Sequence, residues 1–227
     1  MDKKMKFEKN NLKIINADCM DIIKGYEDNY FDLAIVDPPY GIERFKRCSE
    51  KDIINSKTKK SKSIASRFQK METINNNKPN SEYWNELFRV SKHQIIWGAN
   101  NFTLPESEYF LVWDKKQPMP NLARCELAYV SMSLKKPAKI FEYSIHKHNK
   151  TKKIHNTQKP LKLYEFILKY YAHKEFKILD THLGSASSAI AAFYYGCKEF
   201  VGIEIDENYY NDSIKRIKEQ TVQLKLL

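Results

Sequence analysis

The stretch that decides the fold, ILDTHLGSAS, occupies residues 178–187. An acid closes an apolar run and small residues follow it. This pattern is typical of a strand, a tight loop and a helix start, where backbone can approach a ligand closely. The next predicted strand ends in Glu204, and an acid at that place commonly binds ribose hydroxyls. The loop has neither a G-x-G-x-x-G nor a P-loop pattern, so it predicts a nucleoside cofactor without pyrophosphate; an ordinary strand–loop–helix unit is the alternative.

Strands and helices alternate outward from this loop. Apolar runs predict strands at 12–16, 32–37, 94–97, 109–113, 127–132, 139–143, 177–180 and 200–205. Periodic or capped segments predict helices at 18–24, 81–90 (with Ser81 as the cap), 161–171, 185–195 and 207–225. The alternation implies a largely parallel sheet with helices on both faces, in which ligands bind at the carboxyl ends of strands near a topological switch point.

Another predicted strand ends in the tetrapeptide Asp37-Pro38-Pro39-Tyr40. Two prolines stiffen the turn and remove two backbone donors, so the Asp37 carboxylate and the Pro38 carbonyl can present acceptors to one point. Tyr40 adds an aromatic face beside them. Two acceptors next to a stacking surface suit a flipped-out base that bears an amino group; a plain proline turn after a buried strand is the alternative.

Positive charge is concentrated in one segment. The 227-residue chain has a formal net charge of +11, and residues 43–78 hold eleven Lys and Arg residues against four acids. Because the segment lacks apolar periodicity, residues 42–79 are expected to form a mobile basic loop that grips DNA; codon bias is the alternative. The candidate DNA-binding residues are Arg44, Lys46, Arg47, Lys57, Lys59, Lys60 and Lys62. Residues 134–156 are a second candidate DNA-recognition element.

Several classes of protein are not indicated. No stretch of 18 apolar residues is present, so neither a transmembrane helix nor a membrane partner is expected. The first ten residues lack the apolar region of a secretory signal. The four cysteines are scattered, so neither a zinc site nor a disulfide framework is predicted, and a reducing cytoplasm fits best. His146, His148 and His155 stand near lysines and are expected on a basic surface rather than at a metal.

Taken together, the motifs make the chain similar to the amino-directed DNA methyltransferases in their β-type motif order. Residues 37–40 match the D-P-P-Y motif, and residues 155–160 resemble the H-P-T-Q-K-P motif. Residues 180–187 resemble the cofactor loop D-P-F-x-G-S-G-T, and Glu204 matches the ribose-binding acid. Residues 16–19 resemble the G-D-C segment that holds the adenine of the cofactor.

The resemblance implies a Rossmann-like class I S-adenosylmethionine-dependent methyltransferase fold. We therefore expect a mostly parallel seven-stranded sheet with helices on both faces and a circularly permuted motif order, in a single catalytic domain over residues 1–227. Residues 94–102 and 113–115 are further similar to small phage and prophage adenine methyltransferases. The expected cofactor is S-adenosyl-L-methionine, and its expected binding residues are Asp18, Cys19, Thr157, Gln158, Lys159, Asp180, Thr181, Gly184, Ser185, Glu204 and Ile205.

The cofactor loop departs from the family pattern. Thr181 and His182 stand where Pro-Phe is usual, and Ala186 replaces the second glycine. In the preceding motif Asn156 replaces a proline. The remaining motif residues, among them Gly184, lead us to expect that the cofactor still binds.

The chemistry that the resemblance implies is direct methyl transfer to an exocyclic amine of double-stranded DNA. Asp37 and the Pro38 carbonyl would accept the two amine hydrogens and draw the nitrogen toward tetrahedral geometry, with Pro39 and Tyr40 completing the catalytic set. Adenine N6 is favoured because cytosine-N4 enzymes more often carry Ser at the first motif position. A homodimer and a cognate restriction endonuclease are candidate partners.

Five alternatives are weighed against adenine N6. Cytosine N4 on the same scaffold is the principal one, and a catalytically inactive DNA-binding relative is another. An RNA-directed enzyme is less favoured, because those enzymes usually resemble N-P-P-Y or D-P-P-W types. A nicotinamide oxidoreductase is disfavoured because its glycine fingerprint is missing. Cytosine-C5 methylation would need a nucleophilic Cys, normally in a Pro-Cys pair, and the chain has no such pair.

Overall fold

The structure is a computed structural model that describes residues 5–41, 77–120, 122–151, 153–155 and 157–222. The chain divides into two units, one formed by residues 1–38 together with 80–227 and the other by residues 39–79. Only residues 39–41 and 77–79 of the second unit are described. The candidate DNA-binding residues that lie outside the described residues are therefore Arg44, Lys46, Arg47, Lys57, Lys59, Lys60 and Lys62.

One sheet of nine strands forms the centre of the described part of the first unit. The strands are β1 (Lys6–Lys9), β2 (Leu12–Asn16), β3 (Phe31–Val36), β4 (Ser91–Trp97), β5 (Phe110–Asp114), β6 (Cys125–Val130), β7 (Lys139–Glu142), β8 (Lys177–Asp180) and β9 (Glu199–Glu204). Their order across the sheet is β1-β2-β9-β8-β3-β4-β6-β5-β7. Five of the eight neighbouring pairs are parallel, so the prediction of a mostly parallel sheet is confirmed.

The expected number of seven strands is wrong for the described residues, which form nine. Eight strands correspond to predicted segments. The ninth, β1, pairs antiparallel with β2 at the edge of the sheet, and its sequence KFEK alternates exposed and half-buried residues. Such a short polar edge strand lacks the apolar run that identifies a buried strand, so the sequence does not predict it.

The described helices are α1 (Met20–Ile23), α2 (Ser81–Val90), α3 (Ile145–Asn149), α4 (Leu161–Tyr171), α5 (Ser187–Tyr195) and α6 (Glu207–Thr221). Asn80 rather than Ser81 caps α2, since its side chain accepts the Tyr83 amide at 2.9 Å. Helix α5 begins two residues later than predicted. Ala186 has a φ of +58°, a left-handed conformation that cannot be part of a right-handed α-helix. The predicted end of the last helix at residue 225 lies outside the described residues.

Helices cover both faces of the sheet, as predicted. Successive residues of a strand point to opposite faces, and along β3 Leu33 and Ile35 belong to one buried cluster while Ala34 and Val36 belong to another. The first cluster includes apolar residues of α4, α5 and α6, and the second includes those of α1 and α2. Within the described ranges no helix is both long and apolar enough to span a membrane.

The chain changes direction across the sheet between β8 and β3. From β8 it continues through α5 to β9 on one side, and β4 lies next to β3 on the other. The carboxyl ends of β8 and β3 therefore flank a topological switch point, which is where open α/β sheets bind their ligands.

Candidate active site

Four acidic residues stand at the carboxyl ends of four neighbouring parallel strands. Asp18 lies two residues beyond β2, Glu204 ends β9, Asp180 ends β8 and Asp37 directly follows β3. Because these strands are adjacent in the order β2-β9-β8-β3, the four carboxyl groups lie along one edge of the sheet. Carboxyl groups at a ligand-binding edge offer hydrogen-bond acceptors to a bound ligand.

Glu204 is buried, and backbone amides hold its carboxylate. Its Oε2 accepts the Gly184 amide at 2.8 Å, and its Oε1 accepts the Asp206 amide at 3.0 Å. Burial raises the pKa of the Glu204 carboxyl. Since each carboxylate oxygen has two lone pairs, Glu204 can pin the Gly184 loop to the end of β9 and still accept hydroxyl groups of a ligand.

Asp180 is almost fully buried and organises its own loop. Its Oδ2 accepts the Ser188 hydroxyl at 2.5 Å, and its Oδ1 accepts the His182 amide at 3.1 Å. Burial raises the pKa of Asp180 to about 7, although both hydrogen bonds favour the charged form. These two hydrogen bonds of Asp180 are with the loop and the first turn of α5, and its contact with a cofactor stays a prediction.

The loop after β8 has two residues in the left-handed region. Gly184 has a φ of +51° and Ala186 a φ of +58°. Ala186 stands where the resembled motif has its second glycine, and an alanine in this conformation costs about 1–2 kcal/mol. The Leu183 amide donates to the Ile203 carbonyl at 2.9 Å. The Ser185 carbonyl accepts a hydrogen bond from the guanidinium of Arg216 in α6. The backbone of the loop therefore adopts at Ala186 the left-handed conformation that a glycine favours.

Thr181 and His182, the two departures from Pro-Phe, connect the loop to α2. Thr181 Oγ1 lies 2.7 Å from Tyr83 Oη and 2.9 Å from His182 Nδ1. Burial lowers the pKa of His182 to about 4, so its imidazole is neutral at pH 7. These departures thus form a polar bridge, and Tyr83 is a part of the site that motif matching does not reveal.

The carboxyl end of β2 is hydrogen-bonded to the end of the neighbouring strand β9. The Asn16 side chain donates to the carbonyls of Glu204 at 2.8 Å and Ile205 at 3.2 Å, and the Ile205 side chain is exposed. Asp18 is exposed, and it accepts a backbone amide of the first turn of α1 at 2.8 Å. Burial raises the pKa of the Cys19 thiol to about 12, so Cys19 stays protonated.

The motif at 155–160 lies against the cofactor loop. The His155 ring is 3.8 Å from where a Cβ on Gly184 would stand, and its centroid is 4.3 Å from that of Tyr209 in α6. The Thr157 amide donates to His155 Nδ1 at 3.2 Å, so this nitrogen is unprotonated. Burial lowers the pKa of His155. Thr157 itself is exposed, and Gln158 is buried.

The prediction that His148 belongs to a basic surface is wrong, since its side chain is 2% exposed. Its Nε2 donates to the Gln158 carbonyl at 2.6 Å, and its ring meets Trp113 edge to face. Burial lowers the pKa of His148. The sequence places His148 among lysines, but the packing of α3 turns it inward. His146 is exposed, and DNA recognition by residues 134–156 stays a prediction.

Lys159, predicted to bind the cofactor, brings its ammonium to Asp37. Its Nζ forms an ion pair with Asp37 Oδ2 and lies 3.3 Å from Glu126 Oε2. Glu126 Oε1 is in turn 2.5 Å from Lys115 Nζ. The Lys159 carbonyl accepts the Ser187 hydroxyl at 3.0 Å, which ties the motif to the start of α5. The sequence did not identify Glu126 as a site residue. The one feature that could have indicated it is its position as a lone acid at the start of an apolar strand.

The Asp-Pro-Pro-Tyr tetrapeptide is divided between the two units. Asp37 and the buried Pro38 belong to the first unit, and Pro39 and Tyr40 to the second. The first unit thus presents the expected acceptor residues directly after β3, next to the switch point. The catalytic roles of all four residues remain predictions.

A family model described as DNA methylase, N6_N4_Mtase, matches residues 71–215, which is more than half of the chain. The chain belongs to this DNA methylase family. It is accordingly an S-adenosylmethionine-dependent DNA methyltransferase of the N6/N4 type.

Individual relatives cover nearly the whole chain. The Type II methyltransferase M2.MboI of Moraxella bovis is 26% identical over 95% of this chain and 90% of its own length. The M1.HpyAVI–SAM complex has a TM-score of 0.57 at 21% identity, covering 90% of this chain and 99% of that one. The cytosine-N4-specific PvuII DNA methyltransferase has a TM-score of 0.56 at 10% identity, covering 92% and 91%. The structural likenesses show the class I methyltransferase fold.

The residues at the switch point fit S-adenosylmethionine. Glu204 offers carboxylate acceptors of the kind that bind ribose hydroxyls. Gly184 places no side chain between the loop backbone and a ligand. The exposed Asp18 adds a carboxyl group at the same edge of the sheet, which complements the positive charge of a sulfonium group.

Proposed function

We propose that this DNA methyltransferase methylates N6 of an adenine that is flipped out of the double helix. The observation that carries the proposal is the position of Asp37. It follows β3 directly, and β3 is hydrogen-bonded to β8, the strand that leads into the cofactor loop. An acceptor for an amine is thereby placed one strand away from the site that fits the methyl donor.

The residues of the chain divide the work in this proposal. Asp37 and the Pro38 carbonyl accept the amine hydrogens, which localises the nitrogen lone pair that is otherwise delocalised into the ring. Glu204 and the loop at Gly184 hold the cofactor, and Tyr40 stacks on the base. When bound, S-adenosylmethionine would supply an activated methyl group and leave as its thioether product, and the methylated amine would release one proton to solvent. Positioning and electrostatics account for the rate enhancement, since direct transfer needs no covalent intermediate with the protein.

The remaining expected cofactor contacts surround that loop. They are Asp18, Cys19, Thr157, Gln158, Lys159, Asp180, Thr181, Ser185 and Ile205. Asp18, Thr157 and Ile205 are exposed and suited to direct contact, whereas Asp180 is buried and suited to shaping the loop.

Cytosine N4 is the second candidate target. The cytosine-N4-specific PvuII enzyme has the same fold, so this fold is compatible with that target. Asp37 favours adenine instead, because cytosine-N4 enzymes more often carry Ser at this motif position. The two bases offer similar amines, so the distinction depends on the shape of the pocket around the base.

Double-stranded DNA is the proposed substrate, with the methyltransferase acting in the cytoplasm. The basic segment 42–79 and residues 134–156 are proposed to contact it. A homodimer and a cognate restriction endonuclease are further proposed partners, the latter because M2.MboI is a Type II methyltransferase. We also propose that residues 1–227 act as a single catalytic domain.

The target base is identified by mass spectrometry of nucleosides from DNA of a methylation-deficient host that expresses the chain. N6-methyladenine that appears with the wild type and disappears with Asp37→Ala is the expected result. N4-methylcytosine would establish the alternative. Absence of both, with S-adenosylmethionine still bound by the protein, would make the chain an inactive DNA-binding relative. Sequencing of the same DNA for methylated positions then gives the recognition site.

A further inference from the structure

Four side chains of alternating charge connect β5 and β6 to Asp37. Lys115 Nζ is 2.5 Å from Glu126 Oε1, Glu126 Oε2 is 3.3 Å from Lys159 Nζ, and Lys159 Nζ pairs with Asp37 Oδ2. Strand β6 runs antiparallel to β4, so Glu126, near the start of β6, lies at the edge where the parallel strands end. The row of charges therefore runs from the end of β5, through Glu126, to the proposed amine acceptor.

Lys159 is shared between two carboxylates. Its side chain is only 5% exposed, and its ammonium lies 5.4 Å from the centroid of the Trp97 ring. Glu126 Oε2 is a buried oxygen that accepts no hydrogen bond of good geometry within the described residues, although the ammonium is near. The pKa of the Glu126 carboxyl is raised by burial, but the charges of Lys159 and Lys115 outweigh that effect and hold it below its usual value. Glu126 is thus an anion that competes with Asp37 for one buried cation.

We propose that Glu126 is a positioning residue for methyl transfer, which acts through Lys159 to set how strongly the Asp37 carboxylate accepts the target amine. The inference rests on the proposed function, in which Asp37 accepts a hydrogen of that amine. Positive charge develops on the nitrogen as it is methylated. A lysine held tightly at Asp37 opposes that charge, and a lysine drawn toward Glu126 opposes it less.

Other ionisable groups also act on Asp37, and their protonation enters any pH profile. His155 follows α3, Asp180 ends β8 and Tyr164 lies in α4, and each interacts electrostatically with Asp37. Burial keeps His155 and Tyr164 neutral near pH 7, while Asp180 has a pKa of about 7. These three groups are unchanged in the variants below, so differences between variants report on the Lys159–Glu126 pair.

The test is the pH dependence of single-turnover transfer of a labelled methyl group to unmethylated bacteriophage DNA. Glu126→Gln should lower the rate at neutral pH about tenfold and move the acid limb to lower pH, because Lys159 then no longer shares its charge between Asp37 and Glu126. Lys159→Met should move the acid limb to higher pH by about one unit or more, since a carboxylate without its neighbouring cation takes up a proton more readily.

The decisive variant combines both substitutions. If Glu126 acts through Lys159, Glu126→Gln should have no further effect in the Lys159→Met background. The matched control is Glu165→Gln, which makes the same change in an exposed ion pair with Lys162 on α4 and should alter neither rate nor profile. Calorimetric affinity for S-adenosylmethionine should be unchanged in Glu126→Gln, which separates positioning from cofactor binding.

Three outcomes would overturn the inference. An unchanged rate and profile in Glu126→Gln is one, and an effect of Glu126→Gln that persists without Lys159 is another. The third is an unchanged acid limb in Lys159→Met together with lost cofactor affinity, which would leave Lys159 a cofactor contact that does not act on Asp37. Failure of the wild type to transfer any methyl group would instead overturn the proposed function.

Lys115→Met replaces Glu126→Gln if that variant does not fold. Without Lys115, Glu126 draws Lys159 more strongly, so the acid limb should move slightly to higher pH in the wild-type background. No shift should follow in the Lys159→Met background. A shift of equal size in both backgrounds would contradict the coupling.

Discussion

The carboxyl groups on the two sides of the switch point are held in different ways. On the β8–β9 side, Glu204 accepts two backbone amides and Asp180 accepts one amide and one hydroxyl from its own loop and helix. On the β3 side, Asp37 is paired with Lys159, which lies 122 residues away in sequence. Hydrogen bonds from nearby loops thus hold the two carboxylates of the cofactor side, whereas an ion pair between distant segments holds the carboxylate of the target side. A substitution on one side should therefore leave the other side's property intact.

The largest expected effect is on the target side. Asp37→Ala should lower methyl transfer by on the order of a thousandfold or more, because it removes an acceptor that is most needed in the transition state. The rate is measured in single turnover with saturating S-adenosylmethionine. Asp32→Ala serves as the control, since Asp32 is an acid of the same strand that pairs with Lys92. Substantial turnover by Asp37→Ala would remove Asp37 from the mechanism.

The basic segment should affect DNA affinity alone. The four lysines changed here lie outside the residues that the structure describes, so the prediction comes from sequence. Changing Lys57, Lys59, Lys60 and Lys62 together to Gln should reduce the slope of log affinity against log salt by up to about 3.6, at roughly 0.9 per phosphate contact. The methylated sequence should stay the same because phosphate contacts position rather than specify. The test is the DNA affinity of the wild type and the quadruple variant at several salt concentrations. Equal slopes for the two proteins would contradict the proposal that this segment binds DNA.

The buried acid of the cofactor side should make stability depend on pH. The pKa of Asp180 is raised to about 7 in the folded protein. Its contribution to stability is therefore fully present below about pH 4 and is lost as the pH rises through 7. The loss is at most about 4 kcal/mol, at about 1.4 kcal/mol per pKa unit. Asp180→Asn should lack this loss, so the difference in unfolding free energy between wild type and variant should change across this window. A constant difference would contradict the assigned pKa.

Glu204→Gln should weaken S-adenosylmethionine binding roughly tenfold or more. A lost charge-assisted hydrogen bond is worth about 1.5–3 kcal/mol. The isosteric amide keeps the side chain in place while it removes the charge that accepts the Gly184 amide. Calorimetry gives the dissociation constant, with Glu207→Gln as a nearby control at the start of α6. An unchanged affinity for S-adenosylmethionine would show that Glu204 does not bind the ribose.

The same contrast explains what could be predicted from the sequence. Asp180 and Glu204 sit at the ends of apolar runs, and their partners lie within a few residues or on the neighbouring strand, so spacing alone identifies them. Lys159 was identified through its motif, but its contact with Asp37 depends on how α4 and β3 pack. Glu126 and Tyr83 belong to no motif, and they reach the site through strand order and helix packing that periodicity does not encode. The edge strand β1 was not predicted because it has no buried face of its own.

The separation of the two sides is tested most directly by measuring, for Asp37→Ala and Glu204→Gln together, the property that each should leave intact. We expect Asp37→Ala to bind S-adenosylmethionine within about twofold of the wild type, well under the 1.4 kcal/mol that a tenfold change requires. We expect Glu204→Gln to transfer methyl groups at near the wild-type rate once the cofactor is saturating. Loss of cofactor affinity in Asp37→Ala, or a rate in Glu204→Gln that saturation does not restore, would contradict the division between the two sides.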